Sequence, residues 1–119
     1  MYDINKCQKI KLHQGAIYLG PSDENKSVGY LELNPHTSLT LHNRPATEKL
    51  TQTKGMSNMV IFENDEGKTK ILKNGENIII KPLIWHIHTN PYNEVSATYW
   101  DFDGDIREII ENIRKTAKE

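Results

Sequence analysis

Three histidines, one glutamate and one arginine have the types and spacing that could do chemistry in this chain. His42 and Arg44 lie two positions apart, Glu48 follows shortly after, and His86 and His88 form a second pair further along. Neutral imidazoles and carboxylates donate lone pairs to divalent metals, and a histidine can also act as a general base near neutral pH. A guanidinium instead pairs with carboxylates or phosphates through parallel hydrogen bonds. These residues predict a metal site, an anion site or a polar pocket held together by hydrogen bonds.

Strands are the elements that could bring these side chains together. In a β-strand, residues two positions apart point to the same side. His42 and Arg44 would share one face, Glu48 and Gln52 a second, and His86 and His88 a third. A small β-barrel has a single interior, so we expect the three sets to converge there.

Short strands separated by turns run through most of the chain. Turn signals rich in Gly, Pro, Asn and Asp recur, for example at positions 20–23, 64–67 and 90–93. The segments between them alternate or are apolar, and they lie at 29–33, 38–42, 59–62, 78–80 and 95–100. Many short strands at regular spacing predict an all-β barrel or sandwich.

The C-terminal segment has helical rather than strand periodicity. Four isoleucines are spaced as one face of a helix, namely Ile106, Ile109, Ile110 and Ile113. Asp105 is placed to cap the free amides of the first turn, with Glu108 as a capping-box partner. We expect a helix over about 105–117 whose isoleucines pack on the barrel or on a second subunit.

Two motifs in this order resemble those of the cupin superfamily. The first family motif contains two histidines, a glutamate and a glycine, and here it matches His42, Glu48 and Gly55. The second contains a glycine, a proline, a histidine and an asparagine, matched by Gly75, Pro82, His86 and Asn90. The match spans about positions 28 to 101. The resemblance implies one domain over 1–119, a double-stranded β-helix (jelly-roll barrel) over about 15–102, and a homodimer.

The resemblance also implies a metal site, with one departure. In the family the motif histidines and glutamate bind a divalent metal, which here implies His42, Glu48 and His86 as ligands of iron, manganese, zinc or nickel. Arg44 occupies the position of the second histidine, and a guanidinium cannot donate a lone pair to a metal. A metal-free pocket without any cofactor therefore stays open as an alternative. Gln52 or His88 could complete the ligand shell.

Four residues are candidate ligand contacts: Arg44, Gln52, His88 and Tyr99. Arg44 could pair with Glu48, hold an anionic ligand, or point to solvent beside Pro45, and the sequence does not choose among these. His88 could lie in the pocket or near the barrel mouth. Tyr99 could point inward and donate a proton.

Composition narrows the partners. The 119 residues carry a formal net charge of -1, and Lys and Arg form no basic block. No apolar run approaches the length of a membrane span, and the N-terminus lacks the apolar core of a signal peptide. We therefore expect a cytoplasmic protein with neither nucleic-acid nor membrane partners. The single cysteine, Cys7, excludes an internal disulfide.

Three functions fit these residues, and no catalytic residue can be assigned from the sequence. The first is binding of a small anionic metabolite in the pocket, without turnover. The second is a metal-dependent isomerase, decarboxylase or dioxygenase. The third is a metal-free sugar epimerase or isomerase, with a histidine as base and Tyr99 as acid.

Overall fold

The computed structural model describes residues 1–116, which form ten strands, one α-helix and a short 3-10 helix at Ile4–Lys6. The strands are β1 (Gln8–Lys11), β2 (Gly15–Ser22), β3 (Lys26–Leu33), β4 (Thr37–Ser38), β5 (Thr47–Lys54), β6 (Ser57–Glu63), β7 (Glu66–Leu72), β8 (Asn77–Ile80), β9 (Trp85–Asn90) and β10 (Ser96–Asp103). The helix α1 spans Arg107–Thr116.

The strands form two antiparallel sheets. One has six strands in the order β1-β2-β3-β10-β5-β8, and the other has four in the order β4-β9-β6-β7. The expected all-β jelly-roll barrel with a C-terminal helix is confirmed. Within residues 1–116, no helix is long and apolar enough to cross a membrane.

The main core lies between the sheets and beneath α1. Leu50 of β5, Met59 of β6 and Leu72 of β7 are fully buried, and Trp100 and Phe102 of β10 pack with them. The isoleucine stripe joins this core through Ile106, directly before α1, and Ile110, within α1, which are 4% and 3% exposed. The helix therefore packs on the barrel of its own chain.

The start of α1 partly follows the expected capping. The Asp105 carboxylate accepts the backbone N–H of Arg107 at 3.1 Å and also binds the Arg107 guanidinium. That side-chain hydrogen bond is the main reason why the pKa of Asp105 falls to about 2. Residue 117, the last of the expected helix, lies outside the described residues.

Gly55 ends β5 in a conformation that explains why the motif has glycine there. Its φ is 63°, in the left-handed region. A Cβ at this position would lie 2.5 Å from the carbonyl oxygen of Val95. The tight connection from β5 to β6 therefore requires a residue without a side chain.

Candidate metal centre

Strand β9 supplies two of the three clustered histidines. His86 and His88 point to the barrel interior and are 1% and 5% exposed. Their neighbours Trp85 and Ile87 face the other side of the sheet, as the two-residue period requires. β9 lies between β4 and β6, so both histidines are held in the middle of the four-stranded sheet.

The segment before β5 supplies His42 through an irregularity that the sequence did not reveal. The expected strand over 38–42 is wrong, because β4 contains only Thr37 and Ser38. Beyond it, Leu39 N–H donates to the His88 carbonyl and His42 N–H to the His86 carbonyl. Three residue steps on this segment thus oppose two on β9, which is the extra residue of a β-bulge. The bulge lets both Leu39 and His42 line the interior.

The three imidazole rings form one compact cluster. The ring centroids of His42 and His86 are 4.4 Å apart, and both rings lie 5.2 Å from His88. One nitrogen from each ring lies within 4.8 Å of the other two. Such a group could hold a divalent metal ion with modest movement of the side chains.

Backbone carbonyls fix the orientation of two of these rings. The Nδ1 of His42 is 2.8 Å from the Thr40 carbonyl oxygen, and the Nδ1 of His86 is 2.8 Å from that of Ile84. Because a carbonyl oxygen only accepts, each Nδ1 must carry the proton. In the neutral ring this leaves the lone pair on Nε2, the form in which histidine binds metals.

Burial keeps the rings of His42 and His88 neutral over a wide pH range. It lowers the pKa of His42 to about 4, with smaller contributions from the charges of Arg44 and His86. It also places the pKa of His88 well below its usual value. Neutral imidazoles do not have to lose a proton before they bind a metal.

Glu48 faces this cluster from the six-stranded sheet. Its side chain is almost fully buried, and its Oε1 lies 3.2 Å from Nε2 of His86. Despite this distance, neither atom has a hydrogen-bond partner within residues 1–116. With the His86 proton on Nδ1, two buried acceptor atoms face each other, and only a cation or an extra proton between them relieves the conflict. Three imidazoles and a carboxylate fit a divalent transition metal.

Arg44 lines the same cavity beside Glu48 and His88. Its Nη1 donates to the Asn43 carbonyl at 3.3 Å. In the described part of the chain it forms no ion pair within 4.0 Å, so the pair with Glu48, one of the three alternatives for Arg44, is not made. Burial lowers the pKa of Arg44, while the more distant charge of Glu48 opposes this. Within residues 1–116, the other N–H groups of the guanidinium have no hydrogen-bond acceptor.

Gln52 shares the inward face with Glu48 but lies elsewhere in the barrel. Its Oε1 accepts from Ser57 and Thr98, and its Nε2 donates to Ser96 and to the Lys54 carbonyl. The amide is therefore fully satisfied by the protein. Gln52 neither lines the histidine cavity nor completes a metal shell.

Tyr99 lies on the other face of the six-stranded sheet. Its ring packs edge to face on Tyr30 at 4.9 Å, and its hydroxyl accepts the backbone N–H of Tyr2. Its neighbours on β10, Trp100 and Phe102, are the ones that line the cavity. This corrects the expectation that the phenol points inward toward the histidines.

The structure thus brings together His42, Arg44, Glu48, His86 and His88, and leaves Gln52 and Tyr99 apart. The sequence did not identify the apolar side of this cavity. Trp100, Phe102 and the isoleucines of α1 form that side. The isoleucine spacing indicated that one face of the helix is buried. Only the fold shows that this face lines the cavity beside the histidines.

Comparisons with known proteins agree with the fold. No family model matches the chain, and no curated protein does. Among solved structures, an oxalate oxidase in complex with the substrate analogue glycolate aligns with a TM-score of 0.64 and 19% identity, covering 67% of this chain and 42% of that one. Oxalate decarboxylase from Bacillus subtilis at pH 4.6 aligns with a TM-score of 0.77 and 18% identity, covering 87% and 29%.

A third similar structure, Peruvianin-I, is described as a cysteine peptidase from Thevetia peruviana latex. It has a TM-score of 0.63 and 19% identity, and covers 67% of this chain and 51% of that one. This chain therefore spans about half or less of each of these three proteins. Structural similarity at such low sequence identity shows the fold and not an activity, since one scaffold supports many functions.

Proposed function

We propose that this chain is a metal-binding cupin that holds a small anion beside its metal. His42, His86 and His88 with Glu48 would hold one divalent transition metal, and Arg44 would bind the anion. The observation that carries the proposal is the unsatisfied pair of buried atoms, Glu48 Oε1 and His86 Nε2, at 3.2 Å within a cluster of three imidazoles. In this arrangement His88 supplies the ligand that is missing at position 44.

The residues around the metal position have distinct roles in the proposal. The Nδ1 hydrogen bonds of His42 and His86 hold their rings in the metal-binding orientation. The Arg44 guanidinium would orient a carboxylate through two hydrogen bonds. The apolar cavity wall excludes water and strengthens the attraction between these charges. A bound divalent metal would act as a Lewis acid that polarises a ligand oxygen.

A metal-dependent enzyme acting on a small carboxylate is the second candidate. The observation that favours it is the kind of protein found among similar structures: an oxalate oxidase bound to glycolate and an oxalate decarboxylase. Isomerase, decarboxylase and dioxygenase reactions all stay compatible with the site. Turnover of a carboxylate by the metal-loaded protein would distinguish this candidate from simple binding.

The metal-free epimerase has less support. Its mechanism needs a tyrosine acid near the histidine base, and Tyr99 lies across the sheet from the cluster. No tyrosine of residues 1–116 lines the cavity. We therefore do not propose this function.

Elemental analysis of protein purified without chelators and without a histidine tag tests the metal centre. We expect close to one transition metal per chain, and retention of this metal in His13→Ala, since His13 is exposed and outside the cluster. His88→Ala should lose most of the metal. The proposal is wrong if the purified protein takes up no iron, manganese, zinc or nickel, or if His88→Ala binds metal as tightly as the original chain.

The homodimer and the cytoplasmic location stay predictions. Large apolar side chains at Leu41, Leu83 and Trp85 are 50%, 62% and 50% exposed, which is compatible with a protein interface. Light scattering coupled to size-exclusion chromatography measures the oligomeric state directly.

A further inference from the structure

We propose that the anion bound beside the metal is amphipathic: a small carboxylate whose short aliphatic tail packs against the isoleucines of α1. This inference rests on the proposed function, because it assumes that Arg44 and the metal centre hold the carboxylate. It adds what the rest of the ligand must be.

The cavity lining combines four polar side chains with a larger number of apolar ones. Its polar side chains are His42, Arg44, Glu48 and His88, and apart from these the lining is hydrocarbon or aromatic. Trp100 and Phe102 come from the sheet, Ile109, Ile110 and Ile113 come from α1, and Ile106 lies directly before the helix. If Arg44 and the proposed metal hold the carboxylate, apolar side chains make up the rest of the lining that the ligand can contact.

The apolar wall selects against hydroxylated ligands. A buried hydroxyl without a hydrogen-bond partner is disfavoured, whereas a methylene gains from leaving water. Within the described chain, the wall offers no side-chain hydroxyl or amide that could bind a sugar-like ligand. The chemistry of the cavity therefore favours an alkyl tail over a polyol.

The volume of the cavity limits the length of the tail. It is about 60 Å³, and one water-sized group occupies roughly 10–15 Å³ on this measure. Dividing the two volumes gives room for about four to six non-hydrogen atoms. The carboxylate accounts for three of these atoms, which leaves room for a tail of about one to three carbons.

Two of the four isoleucines are placed to contact the tail without anchoring the helix. Ile106 and Ile110 are buried in the core, whereas Ile109 and Ile113 are only partly buried. Gly104, whose φ is 143°, leads into the helix, and a Cβ there would lie 2.8 Å from the Cβ of Ala46. This close contact between Gly104 and Ala46 fixes the position of α1. Ile113 can therefore be shortened while Ile106 and Ile110 keep the helix packed on the core.

A titration of the zinc-loaded protein with acetate, propionate, butyrate and 3-hydroxypropionate tests the inference by ligand-observed NMR. Affinity should rise about fourfold for each added methylene up to butyrate. 3-Hydroxypropionate replaces the terminal methyl of butyrate with a hydroxyl at the same size, and it should bind at least about tenfold more weakly. Equal affinities across the series would overturn the inference and leave the proposed function standing. If the protein binds neither zinc nor any of these anions, both the inference and the proposed function are wrong.

Ile113→Ala separates tail contact from general stability. The ratio of butyrate to acetate affinity should fall by about fourfold or more, because the longer tail loses more contact than the methyl of acetate. Ile79→Ala is the matched control, since Ile79 is 61% exposed and does not line the cavity. A ratio that stays constant in Ile113→Ala, or that falls equally in Ile79→Ala, contradicts the role of α1.

Discussion

Replacing Glu48 with glutamine should have opposite effects on metal binding and on the stability of the metal-free protein. The Glu48 carboxylate is 4% exposed, and its Oε1 faces Nε2 of His86 without a hydrogen bond. A glutamine of the same shape could donate its amide N–H to that Nε2, so that both buried atoms would be satisfied. The same change removes a proposed metal ligand.

The expected gain in stability follows from the cost of an unsatisfied buried group. That cost is about 1–3 kcal/mol, and more for a charged group. The attraction between Glu48 and the partly exposed Arg44 is lost as well, but an ion pair near solvent is worth up to about 1 kcal/mol. We expect a net gain of about 1 kcal/mol in the free energy of unfolding, which raises Tm by about 4 °C in a domain of this size.

Urea unfolding in the presence of a chelator measures the first effect, and metal titration of the same protein measures the second. Glu94→Gln is the control, because its side chain is exposed in a loop. Affinity for the metal should fall by about tenfold or more in Glu48→Gln. If Glu48→Gln instead destabilises the chelated protein, the carboxylate forms a favourable ion pair with a protonated His86, and the reasoning that leads to the metal centre fails.

Two further predictions concern the pocket and the opposite face of the sheet. The folded state holds the pKa of His42 at about 4, against 6.5 for the free side chain. The chelated protein should therefore be most stable above pH 6.5 and should lose up to about 3 kcal/mol of stability between pH 6.5 and 4. Urea unfolding across this range should show a smaller loss of stability in His42→Gln, and an equal loss would contradict the assignment. Tyr99→Phe should cost about 0.5–1.5 kcal/mol of stability and leave metal and anion affinity unchanged, and altered affinity would show that Tyr99 communicates with the pocket.

The two-residue strand period predicted which side chains share a face but not how far along the barrel each one lies. His86 and His88 share the interior, as do Glu48 and Gln52. Gln52, however, follows Glu48 by four residues, which is about 13 Å along a strand. Strand register decides that separation, and a single sequence carries little information about register.

The direction of Tyr99 could not be predicted for a different reason. Alternation identifies the inner face of a strand only when the outer face is polar. From Ser96 to Trp100 every residue of β10 is buried, because the N-terminal segment around Tyr2 and Ile4 covers the outer face. The bulge that turns His42 inward is equally hidden, since a single extra residue leaves no compositional signal.

The Gln52 hydrogen bonds tie β5, β6 and β10 together at the end of the barrel away from the histidines. These hydrogen bonds involve none of the residues of the proposed metal and anion site. Because Gln52 makes no hydrogen bond to His42, Arg44 or Ile113, we expect substitutions at these three positions to leave that end of the barrel intact. For protein engineering, a library should randomise the side chains that line the cavity and leave Gln52 and its hydrogen-bond partners unchanged.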